Sequence, residues 1–322
     1  MRAALIPAAG AAPVLGEFAK PSATENEIVL TVRTSALSHL TKSRASGAHY
    51  SSDGVYPSVP GMDGIGITPD GRRVYFAMPE APYGALAEFS LVDPRRCVPV
   101  PDALDDTLAA ALPNAGMSSW AALVERANIQ PGETVLINGA TGSAGSLAVQ
   151  IAKYLGAGRV IVTGRNAAKL EVLRTLGADD TIAFALDEPN GADNFQQALR
   201  PHFTAGIDVV LDYLWGQSAL SIIATIAHAV EDARPVRFVQ IGSAAGEDAI
   251  ALPAAALRSS AITLMGSGLK SVPMQKLLDA IRGVYTAAAE GKLTMATATL
   301  PLTEIAQAWN APGEPRMVVT IA

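Results

Sequence analysis

The sequence predicts an α/β protein: a doubly wound parallel sheet preceded by a β-rich segment and followed by a tail that closes on a strand. Three observations predict it. Val135-Leu-Ile-Asn-Gly-Ala-Thr-Gly-Ser-Ala-Gly145 carries an apolar strand through a glycine turn into a helix. Apolar strands and helices alternate from that point on, which calls for crossover connections and parallel pairing. Before about residue 100 the pattern is instead short alternating stretches separated by Gly and Pro.

In chain order, Glu27–Arg33 alternates like a half-buried strand, and turns are marked at Pro57, at Pro60-Gly61 and at Pro69-Asp70-Gly71. Val59-Pro-Gly-Met-Asp-Gly-Ile-Gly66 is a turn-rich run that enters another strand. The Ala-rich stretch Asp105–Arg126 reads as helix broken at Pro113-Asn114, because proline lacks the helical donor. Pro131-Gly132 opens the α/β part. Its strands are predicted at 134–138, 159–163, 207–212 and 236–241, with a fifth candidate at 261–265. In the tail, Leu300–Trp309 reads as a short helix capped by Thr303, and Arg316–Ile321 as the final strand.

The glycines at 139, 142 and 145 have a physical reading. They permit a sharp turn, a close approach of pyrophosphate to the backbone, and tight packing of helix on strand. The helix beginning near Ser143 then directs its free N–H groups and positive dipole end at the phosphate. Ala140, Thr141, Gly142, Ser143, Ala144 and Gly145 are therefore the expected phosphate cradle of a dinucleotide. The tip of the following strand selects the dinucleotide. NAD sites place an Asp or Glu there, whereas no acid occurs between Glu133 and Glu171. The tip reads Thr163-Gly164-Arg165-Asn166, with Lys169 one turn on. Taken singly, either cation is an ordinary surface charge; together and without an acid they suit the 2′-phosphate of NADPH.

Composition narrows the remaining classes. The 322 residues allow two domains with substantial cores. A net charge of −6 argues against nucleic-acid and anionic-membrane partners. No stretch reaches the roughly 18 uncharged apolar residues of a membrane span, and the N-terminus lacks the pattern of a secretory signal. The single cysteine, Cys97, leaves no internal disulfide and no multi-cysteine zinc site. The expectation is a cytoplasmic protein acting on a small molecule.

Together these features resemble the medium-chain dehydrogenase/reductase superfamily, and within it the zinc-independent quinone oxidoreductase branch. The resemblance spans the chain. It rests on Val59–Gly66, on Ala110-Ala-Leu-Pro-Asn-Ala-Gly-Met-Ser-Ser-Trp-Ala-Ala-Leu123, and on the glycine turn. Leu176-Gly-Ala-Asp179, Gly206-Ile-Asp-Val-Val-Leu-Asp212 and the closing Arg316-Met-Val-Val319 add to it. The rival short-chain dehydrogenases need a Tyr-x-x-x-Lys pair, and Tyr154 is followed four residues on by Gly158.

The resemblance implies a GroES-like β-rich catalytic domain from residues 1–119 and 267–322 around a Rossmann domain at 120–266, with nicotinamide and substrate in a cleft between them. It also implies a homodimer joined through sheet edges, for which Ala261–Met265 is the candidate strand. Zinc members of the superfamily carry Cys, His and Cys at three motif positions, which here read Ser38, Met62 and Asn114. Serine, thioether and amide are not zinc ligands, so no metal is expected. The implied chemistry is NADPH-dependent hydride transfer to a quinone or other activated alkene, with side-chain donors stabilising the developing oxyanion. An enoyl-thioester or alkenal reductase is the alternative within the enzymes, and an NADPH-binding sensor or structural protein the alternative outside them. Catalytic candidates are Tyr56, in a Gly54-Val-Tyr56 setting similar to the proton-donating Tyr of enoyl-thioester reductases, and Tyr50, which competes with it. Ser38 stands where quinone oxidoreductases have Asn, and either contacts ribose or substrate or caps a turn. Ser118, Gly242 and Ser243 occupy strand-end positions that face the nicotinamide in the family. Two positions depart from the pattern: Thr41 replaces an acid, and Ala183-Phe184 replaces the Tyr that often touches the 2′-phosphate.

Overall fold

The computed structural model describes residues 1–321. In the first part of the chain the elements are β1 (Arg2–Leu5), β2 (Val14–Glu17), β3 (Ile28–Ala36), α1 (His39–Ala45), β4 (Asp63–Ile67), β5 (Arg73–Ala77), β6 (Phe89–Val92) and β7 (Cys97–Pro99). Then come α2 (Asp106–Ala121), β8 (Thr134–Asn138), α3 (Ser143–Tyr154), β9 (Arg159–Gly164), α4 (Ala167–Arg174), β10 (Asp180–Ala183), α5 (Gly191–Ala205) and β11 (Val209–Asp212). The chain ends with α6 (Gly216–Ala229), β12 (Pro235–Gln240), α7 (Ala254–Arg258), β13 (Ala261–Gly266), α8 (Met274–Ala289), β14 (Thr297–Pro301), α9 (Ile305–Asn310) and β15 (Arg316–Thr320).

These elements form two compact units, Met1–Asn114 with Ile281–Ala322, and Ala115–Ala280. The divisions fall inside α2 and inside α8, not at 119/120 and 266/267, because continuous helices run through both crossings.

The central unit is a six-stranded sheet in the order β10-β9-β8-β11-β12-β13, parallel throughout. Counted within the unit this is 3-2-1-4-5-6, the doubly wound Rossmann order, with its switch point between β8 and β11. The strands are near-continuous apolar runs because both faces are covered: Val135, Leu136 and Ile137 of β8 and Val209, Val210 and Leu211 of β11 are fully buried. One core cluster packs Leu136, Ile161 and Val210 against Phe195, Phe203, Ile222 and Ile226 of the covering helices.

The outer unit holds a seven-stranded sheet, β14-β15-β3-β4-β5-β7, with β6 also on β3. The tail enters it through β15, antiparallel to β3. Its core joins Leu30, Val32, Phe76 and Leu86 to Leu302, Ile305 and Val319 from the C-terminal part of the chain.

Two local expectations are corrected. The helix over 105–126 is not broken at Pro113: α2 continues through it to Ala121 and passes into a wider π-turn at Ala122–Arg126. Pro113 cannot donate to the Ala109 carbonyl one turn back, but the buried Tyr285 hydroxyl does so at 2.8 Å. That bond removes the unsatisfied acceptor that makes an internal proline costly. The tail helix is also shorter than expected. Leu300 and Pro301 end β14, α9 starts at Ile305, and its cap position is Glu304 with no side-chain cap, so Thr303 caps nothing.

Candidate functional site

In the central unit, the turn between β8 and α3 has the geometry a pyrophosphate needs. Gly139 sits at φ +87°, and a Cβ on Gly145 would lie 2.5 Å from the Ala140 Cα, so helix and strand meet at contact distance only with glycine there. Gly142, the residue preceding α3, is different: a Cβ there would meet nothing within 4 Å, and no side chain caps the helix. The start of an α-helix leaves backbone N–H groups without an i−4 carbonyl, and the start of α3 is open at Gly142. The residues present therefore fit a dinucleotide phosphate. The Thr163 carbonyl fixes the turn by accepting from Gly139 N at 3.1 Å and Ala140 N at 3.0 Å.

The strand tip beyond Gly164 is exposed. Asn166 caps α4 by accepting from Lys169 N at 3.0 Å, which stacks Lys169 one turn above Arg165. Among the described residues no ion pair holds Arg165. Phe184 is buried against Phe195 at 4.6 Å between ring centres. It is a core residue.

A layer of buried polar side chains lies beneath these turns. Thr163 Oγ1 donates to Asn138 Oδ1 at 2.6 Å, and Asn138 Nδ2 donates to Asp212 Oδ1 at 2.8 Å and to Ser218 Oγ at 3.0 Å. Asp212 also accepts from the N–H groups of Leu214 and Trp215. Burial pushes its carboxyl up to about 6, against the pull of these hydrogen bonds. Tyr213, buried and raised to about 12 by desolvation, shares a 2.7 Å hydrogen bond with Ser119. Its neighbour Ser118 lies inside α2, not at a strand end as expected, and donates to the Ala115 carbonyl at 2.8 Å. Gly242 and Ser243 leave β12 alongside, with Gly242 N donating to the Asp212 carbonyl at 3.2 Å.

In the outer unit, a cavity of about 220 Å³ opens among Thr41, Arg44, Tyr56, Met62, Met78 and Tyr83. Tyr56 lines it, with its hydroxyl donating to the Ala45 carbonyl at 3.2 Å. Charges at its wall are internally balanced: Arg44 pairs with Asp53, and Arg96 with Glu80 at 2.9 Å. Tyr50 is elsewhere. It is 59 % exposed, its ring is stacked on His49 at 4.1 Å, and it is not among the cavity residues. Burial and the Arg44 charge lower the His49 pKa. Ser38 is buried and caps α1: its Oγ accepts from Thr41 N at 2.9 Å and is 2.9 Å from Thr41 Oγ1. Of the two alternatives for Ser38, the geometry is that of the cap.

Sequence reasoning missed Asn138 and Asp212. The available signal was a polar residue closing each of two otherwise apolar strands, Val135-Leu-Ile-Asn138 and Val209-Val-Leu-Asp212.

Comparison with known proteins adds three relatives and a family. Residues 144–282 match the zinc-binding dehydrogenase family model. A probable NADPH-dependent quinone reductase of Emericella nidulans is 28 % identical over 349 aligned positions, covering 96 % of each chain. A chloroplastic NADPH-dependent alkenal/one oxidoreductase of Arabidopsis thaliana is 30 % identical over 181 positions, covering 51 % of this chain and 46 % of its own. Among solved structures, the quinone oxidoreductase of Thermus thermophilus, also known in complex with NADPH, is 26 % identical with a TM-score of 0.80 and full coverage of both chains.

Proposed function

We propose that this chain is a quinone oxidoreductase-like member of the medium-chain dehydrogenase/reductase superfamily, to whose proteins it is similar, and that it reduces quinones or other activated alkenes with NADPH as the source of hydride. The observation that carries the reading is the combination in the central unit of an open, uncapped helix start at Gly142 with an acid-free strand tip bearing Arg165 and Lys169. The cradle at Ala140–Gly145 holds the pyrophosphate, and the two cations hold the 2′-phosphate that separates NADPH from NADH. Thr163 and Gly164 bring the chain to that tip, and Ser118, Gly242 and Ser243 are the candidate contacts on the nicotinamide side.

The acceptor binds in the outer unit, against Tyr56. Ser38, Met62 and Asn114 offer zinc none of its usual ligand types, so polarising the acceptor oxygen falls to hydroxyl donors. Conjugation in a quinone or enone spreads the incoming charge onto that oxygen, and the Tyr56 hydroxyl supplies it with a hydrogen bond and then a proton. A cavity of about 220 Å³ with balanced wall charges favours a compact, uncharged acceptor over a long acyl thioester. The homodimer and a cytoplasmic setting belong to the same proposal. Among the described strands β13 pairs with β12 alone and ends the sheet, and half-buried Ile262 and Leu264 lie along it.

The test is oxidation of NADPH by the purified protein with a monocyclic quinone, a short enone and a long-chain enoyl thioester. Turnover with the quinone or enone is the expected result. Turnover confined to the thioester would transfer the protein to the enoyl reductases. Tight NADPH binding without turnover on any of them would make it a sensor.

A further inference from the structure

We propose that Asn138 is a positioning residue for the dinucleotide: its single side-chain amide ties together the three strand ends from which the cofactor-binding turns depart. The inference rests on the NADPH reading above. Asn138 is the last residue of β8, immediately before the Gly139 turn. In register beside it lie Thr163 on β9, just before the Gly164-Arg165 tip, and Asp212 on β11, just before the loop to α6. All three side chains are fully buried.

The hydrogen bonds have one consistent direction. Thr163 gives its hydroxyl proton to Asn138 Oδ1. Asn138 gives its two amide protons to Asp212 and Ser218, and Ser218 gives its own to the Trp215 carbonyl. The Asp212 carboxylate then holds Leu214 N and Trp215 N, and Trp215 keeps a left-handed φ of 60° that a non-glycine residue seldom adopts. Every polar atom of the Asn138 amide is used, so its orientation is fixed in the chain's own network.

The backbone runs the same way. The Thr163 carbonyl accepts from Gly139 and Ala140, and the Asn138 carbonyl from Tyr213 N. The phosphate turn, the 2′-phosphate tip and the 213–216 loop are thus fastened to one another at the switch point, where ligands of doubly wound sheets bind. A strand end between apolar layers would be filled as well by leucine for packing alone. A fully satisfied polar layer specifies instead a single relative placement of the three turns.

The experiment measures NADPH and NADH affinity by fluorescence titration, with thermal midpoints in parallel. The proteins are wild type, Asn138→Leu, Thr163→Val, Asn138→Asp, and the exchanged pair Asn138→Asp with Asp212→Asn. Asn138→Leu is expected to weaken both nucleotides by about tenfold or more while remaining folded, since three hydrogen bonds of the layer disappear. Asn138→Asp should be worse, because two buried carboxylates then face each other, and the exchanged pair should recover part of that loss. Folded Asn138→Leu that melts lower yet binds both nucleotides like wild type would overturn the proposal, leaving the residue a structural one. If Asn138→Leu does not fold, Thr163→Val decides: weaker NADPH binding upholds the proposal and unchanged binding overturns it. Wild-type protein that binds neither nucleotide would overturn the NADPH reading and this inference with it.

Discussion

Arg165 and Lys169 are both exposed, at the tip after β9 and in the first turn of α4, and each can make charge-assisted bonds to a phosphate. Replacing both with alanine should weaken NADPH binding by about tenfold to a hundredfold and leave NADH unchanged, as read by titration. An equal loss for both nucleotides would refute the 2′-phosphate assignment. The acid role is proposed for Tyr56 because that residue lines the cavity and Tyr50 does not. Tyr56→Phe should lower kcat by about a hundredfold, within the range general acids supply. Asp63 gives a pH signature. Burial raises its carboxyl from 3.8 to about 6, outweighing the Tyr75 hydrogen bond at 3.0 Å and the nearby Arg316 charge. The folded protein therefore holds this proton more tightly than the unfolded chain. The resulting stability is full below about pH 4 and is lost as pH rises through about 6. Asparagine keeps the neutral form at every pH, so Asp63→Asn should gain stability relative to wild type between about pH 4 and 7, by on the order of 3 kcal/mol. Urea melts of both proteins at the two pH values measure it, and a constant difference would contradict it.

Among the elements, α2 shows how distant residues decide local structure. Its proline is tolerated because Tyr285, 176 residues away in sequence, occupies the carbonyl that Pro113 leaves free. Tyr285→Phe should cost about 1–3 kcal/mol by orphaning that buried acceptor. Adding Pro113→Ala should recover part of the loss, since alanine restores the helical donor; urea denaturation of the single and double variants checks both. This bond also marks where sequence reasoning stops. The β8–α3–β9 unit was legible because its signals are local: glycines at fixed spacing, apolar runs, and an acid missing from one short interval. The fate of Pro113 was illegible because it turns on a contact made by the far end of the chain. The choice between Tyr50 and Tyr56 was hidden for a related reason. The path of the loop after α1 decides which ring reaches the cavity, and that path is held by Arg44 bonding to Ser51 and Asp53. Asn138 and Asp212 were visible only as polar ends of apolar strands, a pattern that announces burial but not partners.

At the level of the molecule, the parallel order of the central sheet places the Gly139–Gly145 turn and the Gly164-Arg165 tip at the carboxyl ends of β8 and β9, beside the switch point with β11. Chain connectivity matters as much in the outer unit, whose sheet is completed by β15 from the C-terminal tail. Edge-to-edge pairing of β13 with a second copy should appear as a dimeric mass in light scattering, and a charge placed at Leu264 should shift that mass toward the monomer. A monomeric wild type would contradict this assembly. The account turns most directly on the ratio of kcat/KM for NADPH to that for NADH with one simple quinone as acceptor. It predicts turnover with a ratio of about ten or more in favour of NADPH; no quinone-dependent oxidation, or a preference for NADH, would contradict it.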